Sequence, residues 1–123
     1  MARDEMIAGT DGRWGGKLTR RALPAEDREI DALPEADRAL LAEIWHARSA
    51  SEGRVADSFA VIRDALTALA ADRGLTVLAA RAIDDERRHA ELSRVVASRY
   101  AGRDLAAPAR LPLTFPRHEQ ADA

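Results

Sequence analysis

Apolar residues recur at the spacing of an α-helix in two long stretches of the chain. The first runs from Pro34 to about Leu69, and the second runs from Asp72, which can cap a helix, to about Tyr100, just before Gly102. The first stripe contains Leu41, Trp45, Phe59, Ile62 and Leu66. A period near 3.6 residues predicts two amphipathic helices joined by a short turn. The expected fold is therefore all-α, an antiparallel helical hairpin.

The flanking segments lack this period. Residues 1–22 hold four glycines and one large anchor, Trp14, which predicts a flexible N-terminal arm. Residues 23–102 are expected to form the hairpin. The segment "LPAEDREI" places Pro24 in a first helical turn, and the segment "LPEADRAL" does the same with Pro34. Residues 103–123 contain three prolines, which predicts an extended or disordered tail. The apolar residues through which that tail could dock are Leu111, Leu113 and Phe115.

Composition narrows the class of protein. The 123 residues allow one domain at most, and the aromatic content of 4% suits helices that approach closely. A net charge of −2 excludes a basic field for nucleic acid, and the absence of cysteine excludes thiolate chemistry. No apolar run approaches the ~20 residues of a membrane span, so a cytoplasmic location, free or inside a protein compartment, is expected.

Two helices cannot enclose a core, so the apolar stripe of a single hairpin needs a cover. The second stripe contains Leu75, Leu78, Ala82, Glu86, His89, Ser93, Val96 and Tyr100. A second copy of the hairpin would cover both stripes and complete a four-helix bundle. We therefore expect a homodimer or a higher homo-oligomer.

Each stripe contains a carboxylate where a buried residue is expected. Glu52 shares the seven-residue spacing of Trp45 and Phe59, while Glu86 interrupts the second stripe and His89 follows it at i+3. A turn near residues 69–71 would bring Glu52 and Glu86 to one level. A buried carboxylate costs several kcal/mol unless it is paired, so this face is expected to meet a cation.

Carboxylate-bridged di-iron bundles use one Glu from each of two helices and Glu-x-x-His from each of two others. One copy of this chain supplies half of that set, and two copies supply all of it. Carboxylates can bridge two metals, and one imidazole per metal suits Fe(II) or Mn(II). The predicted metal ligands are Glu52, Glu86 and His89, with no catalytic group beyond them.

Other interpretations of these residues stay open. Glu86 and His89 could instead pair with a buried arginine. Asp85 is either a solvated acid or an acceptor for the far nitrogen of His89. Tyr100 is either a core aromatic or a redox-active side chain near the metals.

The register has an alternative as well. A turn at Gly74 would separate Glu52 from the level of Glu86 by ~15 Å. Asp57 would then be nearer, but it lies off the apolar face and is expected to point to solvent. A second Glu-x-x-His pair, Glu43 and His46, flanks the stripe and is interpreted as surface polar groups.

With its lone Glu52 and its "DERRHAEL" motif, the stretch over about residues 49–102 resembles the first helical pair of ferritin-like di-iron proteins. The resemblance implies a non-haem di-iron centre held by Glu52, Glu86 and His89. Ordinary members carry two such helical pairs in one chain, whereas this chain has one. In that respect it is similar to encapsulated ferritins, whose two-helix chains build the iron site across a subunit interface.

The resemblance implies a ferritin-like four-helix bundle that oxidises Fe(II) with O₂, a ferroxidase-type enzyme with two irons per dimer. Manganese and zinc are alternative metals, and a protein shell or a partner subunit is a further candidate partner. Two other functions remain open. One is a di-iron oxidase or oxygenase that acts on an organic substrate, and the other is a metal-free helical interaction module.

Overall fold

Residues 27–114 are described by a computed structural model, and within that range they form three α-helices and no strand. The helices are α1 (Arg28–Asp31), α2 (Glu35–Ala68) and α3 (Arg73–Ala101). The prediction of two long helices that pack against each other is confirmed. The predicted arm over 1–22, with Trp14, and the docking residue Phe115 lie outside the described residues.

Capping residues set the starts of the first two helices. The N–H groups of Glu29 and Ile30 donate to Asp27 Oδ1 at 3.0 and 3.2 Å, so Asp27 caps the single turn of α1; the predicted helix start at Pro24 lies outside the described residues. Pro34 has an extended backbone (φ −53°, ψ 143°) and occupies the cap of α2, one residue before its predicted position. The helix α2 therefore begins one residue later than Pro34 suggests.

The turn lies where the hairpin interpretation requires it. After α2 ends at Ala68, Asp72 Oδ1 accepts a 2.8 Å hydrogen bond from the N–H of Gly74, which makes Gly74 part of α3. Ala70 adopts a left-handed conformation (φ 50°) within the turn. Farther along, Ser49 Oγ donates to the Ala90 carbonyl at 2.7 Å. This cross-helix bond sets the register and excludes the alternative turn centred on Gly74.

Small side chains fill the contact between α2 and α3. The buried residues are Ala42, Ser49, Ala56, Ala79, Ile83, Ser93 and Ala97. Small residues let two helices approach closely, but they bury little apolar area. Ile83 is the one large side chain among these buried residues, and several others stay exposed, as Ile62 (46% exposed), Leu75 (51%) and Leu78 (61%) illustrate. Within residues 27–114, no helix combines the length and the apolar character needed to cross a membrane.

Residues 103–114 have no regular secondary structure and run back along the hairpin as a strap. On α3, Arg94 Nη1 donates to Asp104 Oδ1 at 2.9 Å and to the Leu105 carbonyl at 2.8 Å. The N–H of Leu105 donates in turn to Ser98 Oγ at 2.9 Å. Residues 115–123 of the predicted extended tail lie outside the described residues, and the extended tail stays a prediction.

The strap then crosses to α2, where polar contacts hold it. His46 Nε2 donates to the Ala106 carbonyl at 2.9 Å, and Arg110 lies 3.1 Å from the carboxylate of Asp57. The expectation that Asp57 points to solvent is therefore wrong, because the strap passes over it. Leu113 is half-buried and Leu111 is 39% exposed, and the docking of the tail through these side chains stays a prediction.

The hairpin consequently has two different faces. His46 and Glu52 lie six positions apart on α2, which turns them about 120° away from each other around the helix. His89 and Arg94 on α3 are about 140° apart by the same geometry. We call the side that carries His46, Asp57, Arg94 and the strap the strap face. The side that carries Glu52, His89 and the apolar stripe is the open face.

Candidate metal centre

The hairpin brings Glu52 of α2 together with Glu86 and His89 of α3. One potential ligand atom from each side chain lies within 4.8 Å of those from the other two. Within residues 27–114 this is the one cluster of three or more such groups. The hydrogen bond from Ser49 to Ala90 aligns the two helices one turn away from the cluster, and this alignment places the three side chains at the same level. The predicted ligand residues are therefore adjacent in a single chain.

The three side chains differ in their exposure to water. The side chains of Glu52 and Glu86 are each only 20% exposed, whereas that of His89 is 55% exposed. Glu86 points close to the contact between the two helices, and His89 lies farther out on the open face. The two carboxylates of the cluster are thus shielded from water, and its imidazole is accessible.

One oxygen of the cluster has no adequate partner. Glu86 Oε2 is buried and makes no hydrogen bond among the described residues. His89 Nδ1 lies 3.5 Å from it, which is longer than a normal hydrogen bond. A buried acceptor without a partner is costly, and a bound cation is one way to satisfy it.

Glu52 raises the pKa of the Glu86 carboxyl above its ordinary range, mainly because a protonated Glu86 can hydrogen-bond to the neighbouring carboxylate. Burial and the negative charge of Glu52 add to the rise, and His89 partly opposes it. Two carboxyl groups that compete for one proton in this way present a high local negative potential. A divalent cation would replace that proton.

The donor set fits a small divalent metal. Carboxylate and imidazole ligands lie ~2.0–2.2 Å from such an ion, so two ligand atoms on one ion are at most about 4.4 Å apart. The observed limit of 4.8 Å is close to this value, so small side-chain rotations would let the three residues share an ion. Two carboxylates with one imidazole suit Fe(II), Mn(II) or Zn(II).

An arginine beside the cluster was missed in the sequence. Arg48 Nε lies 3.4 Å from Glu52 Oε1, and the guanidinium carbon lies 5.3 Å from the centre of the Trp45 ring. The i,i+4 spacing of Arg48 and Glu52 is a signal from which this ion pair could have been predicted.

The remaining candidate residues lie apart from the cluster. The Asp85 carboxylate contacts the guanidinium of Arg88, one turn along α3, so its hydrogen bond to His89 stays a prediction. Tyr100 is eleven positions beyond His89, about 16 Å along the helix axis, which is too far for contact within one chain. His46, interpreted from sequence as a surface group, lies away from the cluster and donates an exposed hydrogen bond to the strap.

No protein family, curated protein or solved structure matches this chain. The fold and the site therefore define only a class: a helical hairpin with a candidate carboxylate–histidine metal centre.

Proposed function

We propose that this chain is a ferritin-like di-iron protein that pairs into a four-helix bundle and oxidises Fe(II) with O₂. The observation that carries the proposal is the cluster of Glu52, Glu86 and His89, with its buried and unpaired Glu86 oxygen. These residue types match half of the ligand set of a carboxylate-bridged di-iron bundle. A second copy would supply the other half.

The open face supports pairing at this position. Between the cluster and the turn of the hairpin, large apolar side chains lie uncovered, and Ile62, Leu75 and Leu78 are each about half exposed or more in the single chain. An uncovered apolar surface next to a shielded polar group is typical of a protein interface. A second hairpin placed here would bury the apolar residues and bring two copies of the cluster together.

Metal would then strengthen the dimer. Pairing brings four carboxylates, two each of Glu52 and Glu86, into a poorly solvated space, where like charges repel. Two divalent cations would cancel the four negative charges. Metal binding and assembly are therefore expected to be coupled, so that chelation loosens the dimer.

Iron enters the proposed reaction as the substrate. Two Fe(II) ions each give up one electron to a single O₂, which takes up two protons and leaves as hydrogen peroxide. The carboxylates of Glu52 and Glu86 favour the more highly charged Fe(III), and His89 supplies the nitrogen ligand at the exposed edge. The carboxylate of Glu86, whose Oε2 is buried, is the one expected to be shared with the second copy of the site.

A metal-free interaction module is the second candidate, and a specific observation favours it. Arg48 pairs with Glu52, and the raised pKa of Glu86 makes it easier for a proton to neutralise that carboxyl than an ordinary glutamate. Together these contacts partly neutralise the cluster without any metal. In that case the cluster would specify how two hairpins pair.

Anaerobic Fe(II) titration tests the proposal, and the chain contains its own control. The protein is expected to bind one iron per chain, and then to oxidise excess Fe(II) repeatedly when O₂ is admitted. Glu86→Ala and His89→Ala should each abolish binding and oxidation. Glu43→Ala and His46→Ala remove the same residue types from the strap face, and both activities should persist.

Three results would contradict the proposal in different ways. Absence of bound iron after anaerobic addition would favour the metal-free module. A single turnover followed by stalling would point to an oxidase or oxygenase for an organic substrate. If the variants of Glu43 and His46 lost iron binding and oxidation as completely as those of Glu86 and His89, the cluster would not be the metal site.

A further inference from the structure

Arg48 stands at the outer edge of the cluster, where its charge lies next to a candidate ligand. Its Nε is 3.4 Å from Glu52 Oε1, and its side chain is 60% exposed, whereas that of Glu52 is 20% exposed. The guanidinium also packs over Trp45, with 5.3 Å between its carbon and the ring centre. Contacts on both sides hold this cation beside the shielded carboxylate.

Arginine has a charge that pH does not remove, because its guanidinium stays protonated in proteins. Beside Glu52 it offsets one negative charge of the cluster when no metal is present. When a divalent ion binds, the same guanidinium becomes a like charge a few ångströms from the metal. It should therefore favour the metal-free cluster and oppose the loaded one.

We propose that Arg48 is a positioning residue that acts through Glu52 as a built-in counter-ion, holding the metal-free site together and competing with the incoming metal. This inference rests on the proposed metal site and adds a residue that sets its affinity. Competition of this kind keeps binding reversible, because an ion that leaves is replaced by a cation already in place.

Two substitutions separate charge from shape. Arg48→Gln keeps a long helix-forming side chain and removes the charge, whereas Arg48→Lys keeps the charge on a different head group. Arg73→Gln removes the charge of an exposed arginine at the start of α3, about 20 Å along the helix from Glu86, and controls for net charge. The probe is Mn(II) under anaerobic conditions, with free Mn(II) measured by electron paramagnetic resonance.

We expect Arg48→Gln to strengthen metal binding and to weaken the metal-free dimer. Arg48→Gln should bind Mn(II) about threefold to tenfold more tightly at low salt, with a smaller gain at high salt, because the side chain is largely exposed. In sedimentation experiments without metal, the dimer of this variant should have a higher dissociation constant than the wild-type dimer. Arg48→Lys and Arg73→Gln should resemble wild type in both measurements.

Failure of this inference can be told apart from failure of the proposed function. If wild type binds Mn(II) and Arg48→Gln binds it with the same affinity, the role of Arg48 is overturned while the metal site stands. A weaker affinity in Arg48→Gln would likewise overturn it. If wild type binds no Mn(II) at all, the metal site and the role of Arg48 are overturned together.

Discussion

The two faces of the hairpin differ in what covers the side chains that the contact between α2 and α3 leaves exposed. Helices α2 and α3 meet through small side chains, and this contact leaves polar and apolar groups uncovered on both sides. On the strap face the chain covers them itself, with residues 103–114 held by His46, Asp57 and Arg94. On the open face no described segment lies over Glu52, His89 and their apolar neighbours.

The difference between the two faces is the reason why the proposed partner is placed on the open face. The strap face is polar, and its contacts are hydrogen bonds and ion pairs between groups of one chain. The open face combines exposed apolar side chains with a shielded carboxylate pair, and water alone satisfies neither well. Because the chain covers one side itself, the assembly and the metal binding that we propose fall on the other side.

The largest effect is expected from a charge placed on one face or the other. Ile62 and Val61 are neighbours on α2 with similar exposure, 46% and 42%, but Ile62 turns toward the open face and Val61 toward the strap side. Ile62→Asp should raise the dimer dissociation constant by about tenfold to a hundredfold, because an unpaired charge would be buried at the interface. Val61→Asp should change it by less than about twofold.

Analytical ultracentrifugation over a range of protein concentrations measures both variants. The comparison between the faces would fail if Val61→Asp weakened the dimer as much as Ile62→Asp did. It would also fail if wild type remained a folded monomer at every concentration with metal bound.

A smaller effect is expected from loosening the strap. Arg94 is half-buried and joins Glu91, Asp104 and the Leu105 carbonyl. Arg94→Gln should lower the free energy of unfolding by about 1–2 kcal/mol, since it removes charge-assisted hydrogen bonds. Metal affinity should stay within about twofold of wild type, because the change lies on the strap face.

Urea denaturation measures the loss, and amide exchange at Leu105, whose N–H donates to Ser98, reports on the strap. Arg103→Gln, at an exposed position at the start of the strap, is the control and should have little effect. A large loss of metal affinity in Arg94→Gln would show that the two faces are not independent.

The smallest expected effect is a pH dependence of the free energy of unfolding of the metal-free protein, which arises on the open face. The pKa of Glu86 is raised in the folded chain, chiefly because its protonated form can hydrogen-bond to the carboxylate of Glu52. The folded state therefore holds this proton more tightly than the unfolded state does. Stability from this group is present at pH values below the ordinary glutamate pKa, and it is lost as pH rises through the raised pKa of Glu86.

Glu86→Gln keeps the side chain neutral and should remove this dependence. With a chelator present, the wild-type free energy of unfolding should fall relative to that of Glu86→Gln as pH rises through that window. Glu43→Gln, an exposed position on α2, is the control and should follow wild type. A difference between wild type and Glu86→Gln that is independent of pH would contradict proton sharing between Glu86 and Glu52.

Local features of the sequence were sufficient to predict both long helices and the candidate ligands. Asp72 caps α3 and Gly102 ends it with a left-handed backbone, as short-range chemistry predicts. Glu86 and His89 share a face because their i,i+3 spacing is a property of any helix. Glu52 could be added because its seven-residue spacing from Trp45 and Phe59 places it on the same stripe.

The strap and its anchors could not be predicted in this way. His46 and Ala106 are sixty positions apart, and Asp57 meets Arg110 across fifty-three, so no short-range pattern connects either pair. Both Glu-x-x-His pairs satisfy the same local rule, yet His46 binds the strap and His89 joins two carboxylates. Helical spacing places side chains on a face, but which groups meet that face depends on contacts between distant segments, and those form only when the chain folds back on itself.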